Sequence, residues 1–307
     1  LFTVFHAGVG RDVNLPGSIG IERDLPSVYL SSKSLRNIFG SDFDGFNVGN
    51  GDHKINNTMI LPETESRELQ VIGGKRLLQL SINGLITASI MSHLGVPDLF
   101  DTKTGLSAIG RFGLMDGQGI FAYSGLFPPE PSPWTKMHLG WIEPEVLSPG
   151  GYNNLEVAAR KAANSGESTL FKIPINAREY YLVENRNRDV NNDGSKVTFT
   201  VNGQSQTKTY DKDTTGFYSY DTDTLSGVVT DVDEFDWALP GNGIVIWHID
   251  ESVISEKLEQ NAINTDKFNR GVDVEEADGV QDIGEQFQTI FGDEVVGEGG
   301  EQDFWFT

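Results

Sequence analysis

LITASIMSHLGVPDLFD, residues 85–101, is the stretch on which the reading of the fold turns. Its left half continues an apolar pattern that begins near Lys75. The spacing predicts a helix over 75–94, with Leu78, Ile82, Leu85 and Ile86 on one face. Gly95 stands where a helix end favours a left-handed residue, and Pro97 follows closely. Asn83, Gly84, Ser89, Ser92 and His93 interrupt the run. No stretch of the chain reaches the roughly 18 apolar residues of a membrane span, so no membrane span is expected and this reads as a buried helix.

Working outward, Leu1–Phe5 is strand-like, and Pro62–Gln70 is a polar loop or short helix. Ser132 followed by Pro133 predicts the capped start of a helix running to Leu139. Past Pro149-Gly150-Gly151 the pattern turns to strands: Thr169–Ile173, Tyr180–Val183 and Gly243–Ile249. Residues 196–201 and 204–210 flank Asn202-Gly203, the pair that supplies both positive-φ positions of a type I′ hairpin turn.

The 307 residues carry 45 acidic and 23 basic side chains, a net charge of −22. Such a surface repels phosphate backbones, which argues against nucleic acid as a partner and for cations. The imbalance is steepest from Asp250 to Asp303, with 16 acidic residues against Lys257, Lys267 and Arg270. There are no cysteines, so disulfides, thiolate metal sites and cysteine nucleophiles are excluded. Both ends read like the interior of a longer chain, which leads us to expect a processed piece of a precursor.

Several motifs then line up in order: VFHAGVG (4–10), LGVPDLFD (94–101), GLMD (113–116), WTKMHLGWIEP (134–144), REYYLVENR (178–186), LPGNGIVIWHIDE (239–251) and VDVEEADG (272–279). On these the chain resembles the immune inhibitor A family of secreted bacterial zinc metallopeptidases. The resemblance implies a metzincin-like scaffold in which Met115 is the Met-turn residue. It also implies an extracellular or cell-surface location.

The zinc motif departs from that family. Its pattern is H-E-x-x-H-x-x-G-x-x-[HD], with two imidazoles one helical turn apart so that both reach one metal. Counting back from Gly95 and Asp98, the first histidine falls on Ala88, the glutamate on Ser89 and the second histidine on Ser92. Alanine offers no ligand, and serine does not activate water as a general base at neutral pH. Asp98 alone keeps a ligand type, as the residual third position. His93 lies about 100° around the helix from Ser92. The stripe Ser81, Gly84, Ala88, Ser92 is small enough that we expect another segment to pack against it.

Two acidic patterns suggest calcium. Asp189, Asn191 and Asp193, followed by Gly194, have the D-x-N-x-D-G spacing in which alternate oxygens converge on one ion. The alternative is an Asx-rich turn feeding the hairpin. Asp211 and Asp213 are candidates to complete that shell. The run from Glu275 to Asp282, with Asp278 and Asp282 as ligands, is a second candidate.

The expectation is therefore a mixed α/β (α+β) fold. Residues 1–149 would form a metallopeptidase-like region lacking its N-terminal part, with a twisted sheet backed by helices. Residues 150–307 would be strand-rich, with a hairpin insertion at 187–236. The functional expectation is a pseudopeptidase without zinc: a calcium-stabilised binding, structural or surface-assembly module whose partner is a protein or itself. The competing expectation is an active secreted zinc endopeptidase with an atypical metal site that draws on His93 and Asp98.

Overall fold

The computed structural model describes residues 1–13, 21–78, 80–148, 150–151, 155–159, 164, 166–210, 228–288, 292 and 294–305. The fold is mixed α/β, rich in strands and poor in helix. No helix among the described residues is long and apolar enough to cross a membrane. The chain divides into two compact units, the first formed by Leu1–Gly95 with Ser124–Leu126, the second by Val96–Tyr123 and most of the chain from Phe127 onward. This division follows the end of a helix, whereas the sequence boundary at 149/150 marks a change in composition.

In the first unit, β1 (Phe2–Val9), β2 (Val28–Leu30) and β5 (Thr58–Thr64) form a sheet in the order β1-β5-β2. β5 runs parallel to β1 and antiparallel to β2. Its Met59 and Leu61 are buried at the centre. Helix α1 (Ser32–Phe39) is capped by the Ser31 hydroxyl, which accepts from the Ser34 N–H at 3.1 Å. Two hairpins complete the unit: β3 (Phe46–Val48) with β4 (His53–Ile55), and β6 (Arg67–Val71) with β7 (Gly74–Leu78). Helix α2 (Asn83–His93) buries Leu85, Ala88 and Met91.

The predicted helix over 75–94 is thus corrected in its first half, because residues 75–78 belong to β7. Gly73 and Gly74, at φ +100° and +140°, turn the chain back onto β6. Short apolar runs satisfy helix and strand spacing alike, and it is cross-strand pairing that selects the strand. Likewise Pro62–Gln70, read as loop or short helix, contributes to β5 and β6. Gly95 does end α2 region as expected, at φ +93°.

The second unit is built on a five-stranded sheet ordered β15-β14-β10-β9-β8: β8 (Glu145–Val146), β9 (Leu170–Pro174), β10 (Glu179–Arg186), β14 (Gly243–Asp250) and β15 (Val272–Glu275). The strand alternation of β14 sends Val245, Trp247 and Ile249 into the core. In β10 the same period buries Tyr180 and Leu182 and then Glu184 and Arg186. Those two charges are accommodated by pairing. Arg186 donates from Nε and Nη2 to Asp236 at 2.7 and 2.6 Å and from Nη1 to Glu184 at 3.1 Å. Lys136 of α4 (Pro133–His138), itself buried, reaches Glu130 at 2.9 Å and Glu184 at 3.6 Å. Three of the seven sequence motifs thus bear on this core: WTKMHLGWIEP supplies Lys136, REYYLVENR supplies Glu184 and Arg186, and LPGNGIVIWHIDE places Trp247 Nε1 on Glu184 at 3.1 Å.

A second sheet, β12-β11-β13, holds the Asn-Gly hairpin: β11 (Ser195–Val201), β12 (Gln204–Tyr210) and β13 (Val228–Val232). Asn202 and Gly203 adopt φ +50° and +76°, as the turn type requires. Helices α3 (Gly117–Ile120) and α5 (Glu251–Lys257) and the hairpin β16 (Gln286–Gln288)/β17 (Glu294–Val296) complete the unit. Asp211 and Asp213, and the 211–227 part of the insertion at 187–236, lie outside the described residues.

Candidate metal centre

The positions that the zinc motif would occupy are on α2. Ala88 is buried, and Ser89 and Ser92 are half-buried. The Ser92 hydroxyl donates back to the Ala88 carbonyl at 3.1 Å, the usual helical use of a serine that has no other partner. Ser124 and Gly125 pack against the start of this helix: the Ser81 N–H donates to the Ser124 carbonyl at 2.8 Å and the Gly84 N–H to the Gly125 carbonyl at 3.2 Å. A Cβ on Gly125 would lie 2.2 Å from the Ser81 carbonyl oxygen. At its Ser81–Gly84 end the small-residue stripe thus meets a neighbouring backbone. Next along the helix, His93 Nδ1 is 3.0 Å from the Tyr29 hydroxyl, with the rings edge to face. The donor set at 88, 89 and 92 does not fit zinc, which prefers imidazole, thiolate or carboxylate in a tetrahedral shell.

Asp98 belongs to the second unit and is bound into a loop staple. Its backbone N–H donates to Asn261 Oδ1 at 2.8 Å, and its carboxylate accepts from Asn261 Nδ2 at 2.6 Å. Asn261 sits in the left-handed region at φ +53°, and its carbonyl accepts from the Thr102 hydroxyl at 2.8 Å. Partial burial pushes the Asp98 carboxyl above its ordinary value, against the lowering effect of the amide. Asn264 continues the staple, donating to the Leu99 and Val272 carbonyls at 2.9 and 2.8 Å. Sequence reasoning missed both asparagines, which carry no motif of their own.

Met115 is fully buried, and its carbonyl accepts from the Leu99 N–H at 2.8 Å. Asp116 beside it is the polar hub of the Gly-Leu-Met-Asp turn. Its carboxylate accepts from the Ser107 hydroxyl at 3.0 Å and from the N–H groups of Ala108, Ile109 and Gln118 at 2.8, 3.1 and 2.9 Å. Burial drives its pKa up in spite of these bonds.

The D-x-N-x-D-G segment is organised by its own backbone. Buried Asp189 accepts from the Asp193 and Gly194 N–H groups at 3.1 and 3.3 Å, folding the loop over its carboxylate, and its own N–H donates to Asn187 Oδ1 at 3.0 Å in an Asx turn. Asn191 donates to Glu234 at 3.3 Å, and Asp193 pairs with Lys196. Asn192 and Gly194 supply the positive φ values, +56° and +79°. The three side chains thus each have a protein partner.

Among the described residues, one group of at least three histidine or carboxylate side chains gathers its ligand atoms within 4.8 Å of one another: Glu276, Asp278 and Asp303. Glu276 follows β15, Asp278 lies in the turn closed by the Gly279 N–H on the Glu276 carbonyl at 3.1 Å, and Asp303 ends a short 3-10 turn, Glu301–Asp303. Glu276 and Asp303 are buried at 3% and 1% exposure, while Asp278 opens to solvent. The Glu276 carboxylate accepts from the Asp282 and Ile283 N–H groups at 2.9 and 3.2 Å, and Asp303 accepts from the Gly300 N–H at 2.6 Å. Other carboxylates are the charges that act on Glu276 and Asp303. Burial, reinforced by Asp303 and Asp282, pushes the Glu276 carboxyl up to about 7, and burial with Asp278 and Asp282 raises Asp303. Oxygen donors of this kind suit a hard cation such as calcium rather than zinc.

Of the two ligands expected here from sequence, Asp278 is in the group. Asp282 stands beside it, contributing its backbone N–H and its charge. Glu276 lay within the acidic run, but Asp303, more than twenty residues downstream, had no signal linking it to that run. What brings it back is the pairing of Trp305 with Ile244 at the edge of β14, aided by Trp305 Nε1 on the Glu275 carbonyl at 2.9 Å.

Compared with known proteins, the chain matches no family model, no curated protein and no solved structure.

Proposed function

We propose that this chain is a metallopeptidase-like scaffold without peptidase chemistry, acting outside the cell as a calcium-stabilised binding or assembly module. The carrying observation is where its metal-capable side chains stand. The α2 positions that would hold zinc are Ala88, Ser89 and Ser92, and the Ser92 hydroxyl is turned back onto its own helix. The carboxylates that converge among the described residues are Glu276, Asp278 and Asp303, and the charges acting on Glu276 and Asp303 are those of other carboxylates. Further support comes from the order of the sequence motifs, the absence of cysteine and the net charge of −22, all compatible with a cation-rich extracellular medium.

In this reading Asp98 holds the 98–102 loop through Asn261, and Met115 and Asp116 hold the following turn, so motif residues serve architecture. Calcium at the acidic group would neutralise the repulsion between Glu276 and Asp303 and tie β15 to the segment ending at Asp303. Its test is a chelator-controlled casein assay together with element analysis of the pure protein. The expected result is no chelator-sensitive hydrolysis and bound calcium without stoichiometric zinc. Stoichiometric zinc with hydrolysis that chelators abolish would overturn it.

A further inference from the structure

We infer that Glu65 and Asp12 share one proton and serve as a pH-operated latch that fastens the segment after β1 to β6 within the first unit. Glu65 stands between β5 and β6 and is fully buried, at 0% exposure. Gly10, just past β1, packs against it so closely that a Cβ there would lie 1.6 Å from Glu65 Oε1 and 2.7 Å from Pro62 Cγ. Buried Arg67 of β6 spans the group. Its Nη2 donates to the Gly10 carbonyl and, at 3.4 Å, to Glu65 Oε2, and its Nη1 reaches Asp24 at 3.3 Å. Asp12 holds the approach to β2, its carboxylate accepting from the Ser27 N–H at 2.9 and 3.0 Å. The same carboxylate lies within hydrogen-bond reach of Glu65.

Three carboxyl groups thus gather about one guanidinium, which divides its donors among Asp24, Gly10 and Glu65 Oε2. Glu65 Oε1 meets no donor among the described residues. A buried carboxylate oxygen without a donor is unfavourable, and two facing carboxylates repel. One proton answers both: the Glu65 carboxylic acid donates to Asp12, which stays ionised and keeps the Ser27 N–H. Calcium would want roughly six to eight oxygens, whereas the Gly10 backbone and the guanidinium already close two sides of the group. The charges acting on Glu65 are Asp12, from the segment after β1, and Arg67, from β6. Asp24 acts through Arg67, and the neighbouring Pro62 and Gly10 carry no charge. Burial, then the hydrogen bond and the charge of Asp12, hold the Glu65 carboxyl well above the usual carboxylate range, against the pull of Arg67. The folded chain therefore keeps this proton longer than the unfolded chain does. The latch is fully closed below the ordinary value of 4.5 and is lost as pH climbs through the raised one. Once ionised, Glu65 draws Arg67 away from Gly10 and Asp24 and repels Asp12 from Ser27. This device is independent of the calcium and peptidase readings above.

The test is residue-resolved hydrogen exchange of the 307-residue chain from pH 5 to pH 9, expressed as protection factors so that the intrinsic pH dependence of exchange cancels. The Gly10, Arg11 and Ser27 amides, bonded to Thr64, Leu25 and Asp12, should lose protection by about tenfold or more across that range. Glu65→Gln keeps the shape and does not ionise, so protection at the same amides should change less than about twofold. Glu276 is intact in that variant, so a pH response of the second unit does not enter the comparison. Carbon-13 NMR of the unmodified chain reads the proton without a variant: the Glu65 carboxyl should titrate above the ordinary carboxylate range and in step with the loss of protection. Protection that is equal at pH 5 and pH 9, a Glu65→Gln chain that loses it as the unmodified chain does, or a Glu65 carboxyl that titrates within the ordinary range would each overturn the proposal.

Discussion

Glu276 should make the stability of the second unit fall as pH rises from 5 to 7, and calcium should reverse the fall. The carboxyl moves from an ordinary 4.5 to about 7 on folding because it is buried among Asp278, Asp282 and Asp303. A folded-state value raised above the unfolded one means that the folded chain holds the proton longer. The contribution is therefore fully present below about 4.5 and is lost as pH climbs through about 7. A shift of this size corresponds to roughly 3 kcal/mol between the two protonation states. Calcium at this group would take its ionised form, so at pH 7.5 and a hundredfold its Kd it should restore about 2.7 kcal/mol. For a unit of this size that is a rise in Tm of about 5–10 °C. At pH 5.5 the proton competes and the response should shrink. The assay is a set of thermal melts at pH 5, 6, 7 and 8, each with calcium and with chelator. Asp278→Asn, at the exposed position, should weaken the calcium response without lowering the melt in chelator. Glu276→Gln should flatten the pH slope and remove the response. A melt that ignores calcium at pH 7.5, or a Glu276→Gln chain that still responds, would refute the reasoning.

Two further outcomes follow from the buried polar groups. Arg186→Met removes the charge partner of Asp236 in the core, leaving Glu184 with Lys136 and Trp247, and should cost about 3–5 kcal/mol in urea denaturation, whereas adding Asp236→Leu should recover part of the loss. Asp116→Ala leaves the N–H groups of Ala108, Ile109 and Gln118 without their acceptor and should cost about 3 kcal/mol or more, with the Ala108 and Ile109 amides exchanging faster than those of β14.

Elements specified by neighbouring residues were legible in advance. Ser132-Pro133 starts α4, Asn202-Gly203 turns β11 into β12, and the apolar run of β14 is a buried strand, because a cap, a turn and an alternation each act over a few residues. Residues 75–78 were misread because Leu78 and Ile82 suit a helical face. Their strand identity comes from Arg67–Val71 across the Gly73-Gly74 turn. Asp98 had the right residue type for a ligand, yet Asn261, far along the chain, decides its use.

By itself the sequence determined the mixed α/β character, the acidic balance, the lack of thiol chemistry and the absence of any imidazole or carboxylate from the 88–92 stretch, because these depend on which atoms are present. Tertiary structure decided which carboxylates meet. Glu276 and Asp278 are close along the chain, but Asp303 joins them through distant contacts: the pairing of Trp305 with β14, the Trp305 indole on the Glu275 carbonyl and the Ala277 N–H on the Asp303 carbonyl. Charge convergence is a property of three-dimensional distance, and the burial that raises Glu276 exists only once the chain has folded around it.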